Sequence, residues 1–112
     1  MAPTRKFIDL FWELYEKYTG RKPDLGLSRG YFFHRVRDCY EKCFYECPDV
    51  MEECLREYMG SEMAEKKGWS WQYFLWWNPE KKEYSVAMNI LEKVRENMKR
   101  RHKWEEPAYE MS

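Results

Sequence analysis

The sequence predicts an all-α fold, a single domain of about five helices with a long C-terminal helix, and three observations lead there. Apolar residues recur at helical spacing along most of the chain, and no alternating pattern of strand type competes with them. Gly20, Pro23, Pro48, Gly60, Gly68 and Pro79 mark the breaks between these periodic stretches. Length supplies the third: 112 residues suffice for one core and not two, and a domain of this size buries roughly 65% of its unfolded surface.

The first helix is expected from about Arg5 to Tyr18, capped by Thr4, with Phe7, Phe11, Leu14 and Tyr18 on one stripe and Ile8 and Tyr15 widening it. Thr19 and Gly20 stop it, and Pro23 forbids its resumption. A basic loop to Gly30 follows, carrying Arg21, Lys22 and Arg29. The second helix is expected from near Arg29 to Glu46, and its broad apolar face of Phe32, Val36, Cys39, Cys43 and Cys47 makes it the central one. Pro48 ends it and suits the first turn of a third helix reaching Met59, with Cys54, Leu55 and Tyr58 inward and Glu52, Glu53 and Glu57 outward. Glu62 to Lys67 reads as a helical turn or a loop. Ser70 caps a fourth, short helix from Trp71 to about Trp77, ended by Asn78 and Pro79. Glu80 then opens the fifth helix, which runs to about His102 with Tyr84, Leu91, Val94 and Met98 on its stripe. The helical domain is thus expected over residues 1–103, with 104–112 an acidic tail that is ordered only if Trp104 or Tyr109 docks. Phe11, Leu14, Val36, Tyr40, Phe44, Leu55, Phe74, Leu91 and Val94 are the expected core.

Charge is dense, at 36% of residues, yet it sums to zero, which argues against a uniformly basic nucleic-acid binder. Its distribution is uneven: residues 5–37 carry +4, 38–65 carry −7, 66–103 carry +6 and 104–112 carry −3. Segregation of this kind permits polyanion binding on one side, whereas ordinary solvated helix faces explain it equally well. No apolar run reaches the eighteen or so residues of a membrane span, and no short hydrophobic leader opens the chain. A soluble, cytoplasmic protein is expected.

Most constellations that might carry chemistry have a structural explanation. Cys39, Cys43 and Cys47 are spaced by four along one helix and Cys54 lies beyond, without the close pair that zinc sites favour. They read first as small hydrophobes and second as a thiol-linked or metal site. His34 and His102 have no motif around them, and no nucleophile set or glycine-rich phosphate loop is present. No catalytic residue, cofactor or metal is therefore assigned.

The run Lys66 to Pro79 is different, with four Trp residues between lysine pairs, Lys66 and Lys67 before and Lys81 and Lys82 after. Aromatic rings beside ammonium groups hold single strands by base stacking and phosphate neutralisation. Trp69, Tyr73, Phe74 and Trp77 are expected to supply core, and Trp71 and Trp76 to remain exposed.

The segment Leu14 to Pro23 (LYEKYTGRKP), followed after two helices by Gly68 to Phe74 (GWSWQYF), resembles a short helical module of replication proteins from bacteriophages and other mobile elements. The resemblance spans roughly residues 7–79 and implies association with DNA during replication or its control. The Cys-rich second helix, acidic third helix and long fifth helix depart from that module. Taken together, the expected interface is Arg21, Lys22, Arg29, Lys66, Lys67, Lys81 and Lys82 on phosphates, with Trp71 and Trp76 on bases and the basic stretch Lys99 to Lys103 extending it. The alternative is an adaptor or inhibitor that engages a protein partner through the acidic helices or the Trp-rich patch.

Overall fold

The computed structural model describes the backbone of residues 2–110 and the side chains of residues 2–100. The fold is all-α, with six α-helices among the described residues: α1 (Pro3–Thr19), α2 (Arg29–Cys39), α3 (Pro48–Met59), α4 (Glu62–Lys66), α5 (Trp71–Phe74) and α6 (Ser85–Glu110). Among the described residues there is no strand, only an isolated bridge between Asn78 and Glu83.

Pro3 rather than Thr4 opens α1, because its fixed φ suits a first turn and its missing N–H has no partner to lose there. Gly20 closes it in the left-handed conformation at φ 72°, and its N–H donates to Glu16 O. At the other short connection, Ser61 Oγ accepts from Ala64 N, and that cap completes α4 as a true helical turn.

The second helix departs from regular α geometry. It ends at Cys39, and Tyr40–Phe44 continues as a π-helical turn. An i→i+5 turn places a residue five positions on above its predecessor, so Cys39 and Phe44 both reach the core. Regular spacing would have put Cys43 there; instead Cys43 and Tyr40 are half-buried. Cys47 falls outside the helix, as the N-cap residue of α3.

α5 and α6 are both shorter at their junction than their apolar periods suggest. After Phe74 the chain leaves the helix in a turn, so that Leu75 faces inward, Trp76 outward, and Trp77 lies edge-on to Tyr84 at 5.1 Å. Asn78 Oδ1 accepts from the N–H groups of Glu80 and Lys81, and the backbones of Asn78 and Glu83 bond to each other. This tight turn holds Lys82 at φ 52° and delays α6 to Ser85. At its far end α6 continues to Glu110, through the residues expected to form a tail. The docking of Trp104 or Tyr109 and the arrangement of the Arg101, His102 and Lys103 side chains lie outside the described residues.

The core is built on α3, which packs between α1 and α6. Of the nine expected core residues, all but Tyr40 are buried, joined by Phe7, Phe32, Met51, Tyr58 and Tyr84 among others. Phe32 is wholly enclosed and meets the rings of Phe11, Trp12, Phe33 and Trp71 at 5.0 to 6.2 Å. Phe32→Ala should therefore destabilise by about 3–5 kcal/mol, read as a lowered urea midpoint. Tyr45→Ala, at a site 70% exposed, should stay within about 0.5 kcal/mol.

Candidate nucleic-acid interface

Gly68 and Trp69 follow α4 with positive φ values of 65° and 54°. Two left-handed residues in succession reverse the chain sharply, and for Trp69 that conformation is costly. Compensation comes from its ring: the indole N–H donates to Met59 O at 3.1 Å, and the ring stacks on Tyr18 at 6.1 Å and 13°. Tyr58 Oη donates to Ser70 O at 2.7 Å, which fixes the next residue to α3. Ser70 Oγ then accepts from Gln72 N and caps α5, as expected.

This geometry corrects one sequence expectation. Trp71 is only 7% exposed, tilted against Tyr31 and edge-on to Phe32 at 5.0 Å, so it is a core residue and unavailable for base stacking. Its burial follows from the helical spacing of α2, whose Tyr31 and Phe32 turn towards α5. Trp76, by contrast, is 48% exposed, in line with expectation.

Trp71 is a partition. On one side, Pro23, Leu25, Ser28, Gly68 and Trp69 help to line a cleft of about 230 Å³. Asp24 also lines it; Arg21 and Lys22 directly precede Pro23 in the chain, and Lys66 and Lys67 precede Gly68, and all four are exposed without lining the cleft. Lys67 is committed elsewhere, with its ammonium 5.1 Å above the ring of Tyr73, which lines a separate cleft beside α6. On the other side, Tyr31, Arg35, Leu75, Trp76 and Pro79 line a cleft of about 290 Å³. Lys81 and Lys82 are exposed in the turn that Pro79 begins, and Glu80 shares that turn. Arg29 lines neither cleft; it stands between Ser28 of the first and Tyr31 of the second in the chain, its guanidinium 5.5 Å from the ring centre of Phe33.

Arg35 was not among the expected site residues, although Tyr31 and Arg35 stand at the i, i+4 spacing that brings helix side chains together. Arg35 Nε donates to Tyr31 Oη at 2.8 Å, and its guanidinium lies 4.9 Å from the centre of that ring. A second guanidinium nitrogen donates to Tyr84 Oη at 3.4 Å. Tyr84 in turn donates to Asp38, whose other oxygen accepts from Lys42 at 2.6 Å. The chain ends at Trp77, 5.3 Å below the Lys42 ammonium.

These contacts set the protonation states. The hydrogen bond to Tyr84 raises the Arg35 pKa despite some burial, so its charge is permanent. Burial pushes the Asp38 carboxyl up, but the hydrogen bonds from Lys42 and Tyr84, with the Lys42 and His34 charges, outweigh it and hold the group below its ordinary 3.8. Tyr84 is pushed up by burial and by its bond to Asp38, and remains a donor.

The cysteines stand apart from this face. Cys39 is held up by its hydrogen bond to Cys43 and by burial, and burial pushes Cys54 up to about 12. Both are neutral thiols in the core. Among the described residues no group of three or more His, Cys, Asp or Glu side chains is placed to hold a metal. No protein-family model, no curated protein and no solved structure matches the chain.

Because the Asp38 pKa is depressed on folding, its ionised form stabilises the fold above the ordinary carboxyl range, and that contribution is lost as pH falls through the folded value. Tyr84→Phe removes one donor and narrows the gap. Urea midpoints measured from about pH 6 down to about pH 2 should fall more steeply in the native protein than in the variant. Equal slopes would show that the Tyr84 hydroxyl does not hold the carboxylate.

Proposed function

We propose that this chain is a noncatalytic nucleic-acid-binding protein, with DNA as its favoured ligand, acting in the cytoplasm in replication or its control for a phage or mobile element. One observation supports the reading above others: two adjoining clefts, divided by Trp71, have aromatic walls, Arg35 lines the second, and exposed cations follow or precede their lining residues in the chain, with Asp24 the one acid among the described residues of either lining. Arg21 and Lys22 neutralise phosphates at one end, and Lys81 and Lys82 at the other. The sequence resemblance over residues 7–79 supplies the replication context.

Charge neutralisation has a quantitative signature, since each phosphate contact steepens the salt dependence of affinity by about 0.9 for duplex and about 0.7 for single strands. Anisotropy of labelled DNA should therefore show binding that weakens steeply with salt. Arg21→Ala with Lys22→Ala, or Lys81→Ala with Lys82→Ala, should each flatten the slope by about 1–2. No binding of either strand form at low salt would end the reading. A protein-docking role would then succeed it, favoured by the cleft where Met63 is 45% exposed beside Tyr73 and Ile90.

A further inference from the structure

We infer that the cleft between Tyr31 and Trp76 receives one unpaired nucleobase, with Arg35 on an adjacent phosphate, so that the face selects single strands over duplex. The inference rests on the nucleic-acid reading above and specifies which form is held.

The first ground is Trp76 itself. Trp69, Trp71 and Trp77 each pack against another ring, whereas among the described residues no aromatic ring lies on Trp76. A half-exposed indole without a ring partner is a platform for a planar heterocycle.

The second ground is the state of Arg35. Its two hydrogen-bond partners are neutral hydroxyls, and among the described residues no carboxylate forms an ion pair with it. The nearest acid in its network, Asp38, is already occupied by Lys42 and Tyr84. Five N–H groups in a fixed fork leave three uncommitted, and the Tyr31 ring holds the fork in place. An oriented guanidinium of this kind matches a phosphate. Lys81 and Lys82, in the turn begun by Pro79, add charge along the same path, with Glu80 the one acid among them.

Size and access favour an unpaired base. A cleft of about 290 Å³ lies just under the range of roughly 300 to 1,000 Å³ that encloses drug-sized ligands, which suits one flat ring system. Bases inside a duplex have both faces stacked, so a ring can engage them only once they are splayed out. A proline-rich peptide also docks on aromatic walls, but it makes no demand for a phosphate-matching guanidinium.

The test compares native protein, Trp76→Ala and Trp76→Phe for binding to labelled oligothymidine and to a duplex of equal length. Truncation of Trp76 should weaken single-strand binding by about 5- to 150-fold, and leave duplex binding unchanged. Trp76→Phe should restore most of the single-strand affinity. Since Trp76 is exposed, circular dichroism and the unfolding midpoint should match those of the native protein. Equal affinity of native protein for both forms, insensitive to Trp76, would overturn the base cleft and leave the nucleic-acid reading standing. Absence of binding to both forms would overturn the two together. Binding of a proline-rich peptide that Trp76→Ala abolishes, without single-strand binding, would assign the cleft to a peptide and overturn the proposal.

Discussion

Phe32 meets Trp71 edge to face at 5.0 Å, and much of the molecule depends on that contact. Phe32 is also where α1 reaches α2, through Phe11 and Trp12, so one ring joins three elements. Edge-to-face packing of this kind adds about 0.5–1.5 kcal/mol to the larger gain from burying both rings. Its architectural effect matters more. With Trp71 fixed, α5 cannot rotate, and the side chains after it face core and solvent in turn. Trp76 is presented outward because Leu75 and Trp77 are held inward.

The same division accounts for the aromatic surplus. Aromatic residues form 19% of the chain, more than a small helical core requires. Among the described residues most are nonetheless buried or half-buried, and two of these have cations above them, Lys42 over Trp77 and Lys67 over Tyr73. Among the described residues a few large rings are exposed, and of these Tyr31 and Trp76 share one cleft with Arg35. A ring-rich core thus carries, on its outer side, the small cleft proposed to receive a base.

The fold class, the boundaries of α1 and α3 and most of the core were legible in the sequence, because helical periodicity and Gly or Pro stops are local signals. The π turn at Tyr40–Phe44 was not, since it depends on Phe44 finding space in a core formed by distant elements. Nor was the delayed start of α6, which follows from Asn78 engaging Glu80, Lys81 and Glu83 in one turn. For the site, the lysines expected on phosphates are all exposed, but their neighbours were not legible. Lys67 turned to Tyr73 rather than to the Trp71 clefts. Trp71 and Trp76 were indistinguishable by type and composition, and only tertiary contact separated them. Arg35 escaped notice because its importance lies in lacking a carboxylate partner, which no spacing rule reveals.

The central claim is that Trp71 builds the surface and Trp76 uses it. Nuclear magnetic resonance resolves the indole N–H signals of the six tryptophans, and titration with oligothymidine would follow each one separately. The account predicts that the Trp76 signal moves most while those of Trp69 and Trp71 stay nearly fixed. Binding that shifts other indoles and leaves Trp76 unmoved would contradict it.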